Sequence, residues 1–142
     1  MSLGDSGIVV GGARSERADA IDLVRRWFDH LAAREVSAAA ALMASPPTFV
    51  ISGGHRFDSL EAFIAFVSSR YGAIRKRQDF VEACEAPGGF AIYARGELSG
   101  EWRDGGTFSG VRWCDRFLVQ GGRITEVQTW SDIAEIASRK SG

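Results

Sequence analysis

Between Thr107 and Asp132 the chain reads TFSGVRWCDRFLVQGGRITEVQTWSD, two strand-length runs joined at Gly121-Gly122. In the first run every second residue is Val111, Trp113, Asp115, Phe117 and Val119. Alternate side chains of a strand share one sheet face, so four apolar residues and one carboxylate stand in a single row. An acid in such a row either faces solvent at an edge or sits in a half-buried cavity. The second run ends on an aromatic, a polar residue and an acid, Trp130-Ser131-Asp132.

The remaining composition limits what can surround this hairpin. With 142 residues, 45% of them hydrophobic and 25% charged, the chain suits one domain with a genuine core and leaves no room for a second. Net charge is −1 and the cations are scattered among acids, so a nucleic-acid partner is not expected. No apolar run approaches a membrane span. The N-terminal stretch, residues 1–14, lacks the pattern of a secretory signal and reads as a flexible arm ahead of a single domain over 15–142. Cys84 and Cys114 match no metal or redox spacing, which makes the cytoplasm the expected compartment. Two histidines offer little for a metal centre and no dinucleotide fingerprint is present, so no cofactor is expected.

From Ser15 the pattern is helical, with Ile21, Val24, Phe28 and Leu31 on one stripe and Trp27 beside it. An Ala-rich helix over Val36 to Ala44 should stop at Pro46-Pro47, before a short strand at Thr48 to Ile51. Asp58 and Glu61 resemble a capping box for a third helix. Its inner face would carry Leu60, Phe63, Ile64, Val67 and Tyr71. After Ile74 the period becomes that of strands: Lys76 to Ala86, Phe90 to Leu98, then the hairpin, with a short helical tail from Ile133 to Ser138. Helices first and four long antiparallel strands after them indicate α+β, with helices packed on one face of a curved sheet. Three helices should not fill the hollow of a strongly bent sheet, so a small-molecule cavity is expected between the layers.

Here the chain resembles the nuclear transport factor 2-like superfamily and its SnoaL-like branch, from about Ala18 to Ile136. The resemblance rests on the element order, on Trp113-Cys114-Asp115-Arg116-Phe117, and on Gly122-Arg123-Ile124 running through to Trp130-Ser131-Asp132. It implies a cone-shaped curved antiparallel sheet wrapped around three N-terminal helices. It also implies a small-molecule ligand or substrate and a homodimer. Members include isomerases, dehydratases, epoxide hydrolases, polyketide cyclases and catalytically inert domains, and fold alone does not choose among them.

Residue by residue, the resemblance to ketosteroid isomerases puts Trp27 in place of a Tyr, Ile51 or Ser52 in place of the base, and Trp113 in place of a donor acid. Steroid-type isomerisation is therefore not expected. Against limonene-epoxide hydrolases, Arg95-Gly96-Glu97 is similar to a lengthened Arg-x-Asp pair, but Thr129 stands where a further acid belongs. Scytalone dehydratase-like sites need an Asp and two His, and here His30 lies on the outer side of the first helix, leaving only His55.

The candidate catalytic residues are Asp115, His55 and Arg95. Asp115 either exchanges protons inside an apolar pocket or pairs with an Arg, such as Arg95, and fixes the sheet. His55 follows Gly53-Gly54 at the expected cavity mouth and either carries protons or is simply solvated. Tyr93, Arg95 and Glu97 share a parity and either line the pocket or form an ion ladder on the outer face. Trp27, Phe49, Tyr71, Tyr93, Trp113, Phe117 and Thr129 are the expected ligand-contacting residues. Phe90, Ile92, Phe108 and Leu118 lie on the opposite parity and would make the outer sheet face apolar, favouring homodimerisation through it. The expected function is that of a small-molecule-binding SnoaL-like protein, a cofactor-independent lyase, isomerase or hydrolase on a largely apolar compound. The alternative is a non-catalytic ligand-binding or dimerisation domain of the same fold.

Overall fold

The computed structural model describes the backbone of residues 2–141 and the side chains of residues 16–139. Helix α1 spans Ser2–Ala32, where helix was expected from Ser15. The side chains of residues 1–14, expected to form a flexible arm, lie outside the described residues. The order continues α2 (Val36–Ala41), β1 (Met43–Val50), β2 (Arg56–Phe57), α3 (Leu60–Arg70), β3 (Tyr71–Ala86), β4 (Gly89–Trp102), β5 (Thr107–Gln120), β6 (Arg123–Ser131) and α4 (Ile133–Ser141). The fold is α+β, as expected, with one curved, unclosed sheet in the order β2-β1-β6-β5-β4-β3. Every neighbouring pair is antiparallel except β1 and β6.

Local chemistry sets the element ends. The α3 cap is Ser59, whose hydroxyl accepts a hydrogen bond from the Ala62 backbone N–H at 3.1 Å, and not Asp58 one residue earlier. The second helix ends at Ala41 with Leu42 as its C-cap, and the proline pair lies inside a strand that begins at Met43. The hairpin over β5 and β6 turns at Gly121 and Gly122, both at positive φ.

Bulges bend the sheet. In β3 the register against β4 shifts between Gln78 and Phe80, so Asp79 is an extra residue. In β5 three steps from Val111 to Phe108 oppose two steps from Leu98 to Gly100. Gly110, at φ 67°, absorbs the extra residue there. That insertion flips the side-chain alternation, so Phe108 and Val111 both turn inward and both are buried. The bend also brings backbones together: a Cβ on Gly96 would lie 1.9 Å from the Arg77 carbonyl oxygen.

The core lies between the helices and the inner sheet face. From α1 come Ala20, Leu23, Val24, Trp27 and Phe28, and from β5 the row Val111, Trp113, Asp115, Phe117 and Val119, all buried. Trp27 and Phe28 each meet Phe117 at 5.3 Å between ring centroids, and Phe28 meets Trp113 at 5.8 Å. Edge-on and tilted contacts of this kind add about 0.5–1.5 kcal/mol each beyond burial.

Trp113 and Phe117, which flank Asp115 on the inward row of β5, pack with Trp27 and Phe28 of α1. One expectation about the sheet faces needs correction. Phe90, Ile92 and Phe108 belong to the inner side: Ile92 is opposite Phe117, Phe90 is opposite Val119, and Phe108 arrives there through the Gly110 bulge. Of that set, Leu118 stays on the outer parity.

Gly96→Ala should lower unfolding free energy by about 1–3 kcal/mol in urea titrations, because the new methyl meets a fixed carbonyl rather than a movable side chain. Unchanged stability would mean that β3 and β4 do not approach so closely.

Candidate active site around Asp115

Asp115 is the buried charged residue of the described chain, 1% exposed, projecting from the middle of β5 towards α1. Its Oδ2 accepts a hydrogen bond from Lys76 Nζ at 2.7 Å. Lys76 stands on β3 opposite Leu98, which is itself opposite Val111, so the lysine belongs to the inner face. Its ammonium lies 4.3 Å from the Trp113 ring centroid and 5.6 Å from that of Phe28. A cation over aromatic faces gains about 0.5–2 kcal/mol, more as water is excluded. The lysine side chain is 27% exposed, so this ion pair connects the core to the surface.

Three buried polar atoms in this neighbourhood have no hydrogen-bond partner among the described residues: Asp115 Oδ1, Trp113 Nε1 and Trp27 Nε1. Such atoms are rare in folded proteins because each forfeits its hydration. Chemically the set offers the free oxygen of an ion-paired carboxylate, which can accept a proton, and two indole N–H groups that can only donate hydrogen bonds.

The other expected site residues are dispersed. Arg95 and Tyr93 project from the outer face, because Ala94 between them is the inward residue of β4. Arg95 lies 3.7 Å from Glu82 and stacks at 4.0 Å on Phe80, and it is not the partner of Asp115. With Arg77 3.8 Å from Glu97, these residues form the outer-face ion ladder, the second of the two readings. His55 is exposed in the turn between β1 and β2, its ring 4.9 Å from Phe66, and it is not brought to Asp115. Between them lie β6 and β1, each step about 4.8 Å. Phe49 is buried and stacks on Phe63 at 4.8 Å. Tyr71 packs on Trp102 and Phe108, and its burial raises the phenol above its ordinary pKa. Thr129 lines a surface hollow of about 340 Å³ beside Ser52 to Gly54, while a second, of about 280 Å³, lies between Arg25 and Phe80. Asp115 lines neither.

The chain matches the SnoaL-like domain family over residues 24–127. It belongs to that family. An NTF2-like protein of unknown function from Burkholderia pseudomallei is 17% identical, with a TM-score of 0.72 over 84% of this chain and 95% of that one. TerC, crystallised with polyporic acid, is 14% identical, with a TM-score of 0.71 over 84% and 96%. A candidate polyketide cyclase from Xanthomonas campestris pv. campestris is 17% identical, with a TM-score of 0.65 over 87% and 97%. These likenesses establish the NTF2-like fold. No match was found among curated proteins.

Within this SnoaL-like domain the residue that sequence reasoning missed is Lys76. Its signal was the alternation Ile74, Lys76, which puts the lysine on the inward parity between Arg75 and Arg77. Elsewhere Arg112 grips Asp132 at 2.6 Å and holds that exposed carboxyl below its ordinary pKa. The Cys114 thiol, on the outer face, is pushed up by burial and then by the charge of Asp115. Among the described residues no three His, Cys, Asp or Glu side chains gather as a metal site would need, and no helix is long and apolar enough to cross a membrane.

The two ends of the ion pair should respond unequally to mutation. Lys76→Met strands a buried carboxylate and should cost about 3 kcal/mol. Asp115→Asn leaves a neutral hydrogen-bonding amide and a lysine that already reaches solvent, and should cost about 1 kcal/mol. Urea unfolding of both variants checks this, and equal losses would contradict the burial asymmetry.

Proposed function

We propose that this SnoaL-like protein binds a small, largely apolar molecule inside the cone and moves a proton on it through Asp115. The observation that carries the reading is the coincidence, within one aromatic cluster, of a buried carboxylate oxygen and two buried indole N–H groups without a partner among the described residues. Lys76 holds Oδ2, leaving Oδ1 to take a proton from the bound molecule. Trp27 and Trp113 stand where the resemblance places the oxyanion donors of isomerases. As donors without acid function, they would stabilise negative charge developing on a ligand oxygen while giving up no proton. Aromatic walls favour a flat, unsaturated compound. Proton abstraction next to a carbonyl, the first step of isomerase or lyase chemistry, fits these groups.

Polyporic acid, the molecule crystallised with TerC, is a suitable first probe. Titrated against the protein it should quench tryptophan emission saturably, and Asp115→Asn should weaken binding about tenfold, equivalent to 1.4 kcal/mol. Quenching that ignores the Asp115 substitution would contradict the site.

A homodimer through the outer sheet face is also proposed. Among the described residues Phe80, Tyr93 and Trp130, 51%, 36% and 48% exposed, are the large hydrophobic side chains left open, and register pairing puts Phe80, Arg95, Cys114 and Trp130 in one row across four strands. Aromatics with an intervening arginine have the composition of an interface centre. Trp130→Lys should shift sedimentation from dimer to monomer, while a wild-type monomer at high concentration would contradict this arrangement.

A further inference from the structure

The proposed site contains a lysine, and this chain almost never uses one. Of 17 Lys and Arg residues only Lys76 and Lys140 are lysines; the other 15 are arginines. For holding a carboxylate, arginine is the stronger choice, because its planar fork binds both oxygens and its charge is permanent. A lysine here leaves Asp115 Oδ1 unpartnered, an omission that a bidentate guanidinium would repair. What lysine adds is an amine that can lose its proton and attack carbon.

The surroundings suit that chemistry. Lys76 Nζ contacts a proton acceptor at 2.7 Å and is walled by the Trp113 and Phe28 rings. Its neighbours Arg75 and Arg77 point to the opposite face, 4.0 Å from Glu101 and 2.7 Å from Asp79, so neither competes for Asp115. Partial exposure makes the amine reachable from solvent, and the carboxylate lies on its inner side.

We propose that Lys76 is a nucleophilic amine that forms an imine with an aldehyde or ketone ligand, with Asp115 carrying the protons. The inference rests on the small-molecule site described above and assigns it a covalent mode. One proton crosses from the ammonium to Asp115, giving an amine and a carboxylic acid. The nitrogen lone pair forms the C–N bond as the carbonyl π pair moves to oxygen, which takes the proton from Asp115. Asp115 next accepts a proton from the new C–N nitrogen and delivers it to the hydroxyl, which leaves as water. The product is a protonated imine beside the Asp115 carboxylate, so charge and atoms balance with one water released. Trp27 and Trp113 can donate to the oxygen while it is bound.

The test is reductive trapping of the intact protein with benzaldehyde and cyanoborohydride at neutral pH, followed by peptide mapping. Lys76 should acquire a benzyl group at least ten times faster than Lys140 or the N-terminal amine, and Asp115→Asn should slow labelling of Lys76 by at least tenfold. Lys76→Arg keeps the positive charge and should fold with no trapping at that position. Labelling of Lys140 as fast as Lys76, or equal Lys76 labelling with and without the Asp115 carboxylate, would overturn the inference. If Lys76 stays unlabelled while polyporic acid still binds in an Asp115-dependent way, the imine is wrong and the binding site stands. Loss of both results removes the site itself.

Discussion

A carboxylate on the inward row of β5 is the constraint around which the rest of this domain is arranged. A buried charge is tolerated when a partner and hydrogen bonds replace its water, and among the described residues Asp115 has one such partner, Lys76. That partner must come from β3, two strands away, and must be long enough to reach diagonally across the sheet. The bulges that curl β3 and β5 are therefore not incidental to the site. They bend the sheet over α1, bring Trp27 and Phe28 against Phe117, and set the lysine ammonium over the Trp113 ring.

This arrangement also separates the two sides of the sheet by task. Inward positions carry the apolar core with one ion pair. Outward positions carry Arg95 with Glu82, Arg116 with Glu126 and Arg112 with Asp132, along with three exposed aromatics. Of these, Arg95–Glu82 and Arg112–Asp132 are solvated and contribute little individually to stability. The inner pair is different because removing Lys76 would strand a buried carboxylate, whereas the lysine itself already reaches solvent. A SnoaL-like fold supports many activities, so the proposed chemistry rests on this pair and its two indoles and not on the fold.

Much of the architecture was legible because strand alternation is a strong signal. The row from Val111 to Val119 and the Gly121-Gly122 turn fixed β5 and β6, and all five residues of that row are buried. The sheet faces of β4 were not legible, since Ile92 and Tyr93 are both suitable for either side. Phe108 defied parity because Gly110 inserts an extra residue, a bulge that leaves little trace in composition. Lys76 was passed over for a related reason. Between Arg75 and Arg77 it looks like part of a solvated cationic run, and only its register with Leu98 reveals that it turns inward. Arg95 and His55 drew attention by residue type, but chemistry depends on convergence, and the fold sends one outward and the other to a distant turn.

Since the chain has only two lysines, the contact at the centre of this account can be observed directly by lysine ammonium NMR. A 15N-selective spectrum at neutral pH should show a Lys76 ammonium signal sharpened by slow exchange with water. Its side-chain protons should be shifted upfield by the Trp113 ring, and a through-hydrogen-bond coupling should link it to the Asp115 carboxyl carbon. A Lys76 signal that coincides with Lys140 and exchanges freely with solvent would show that the pair does not form.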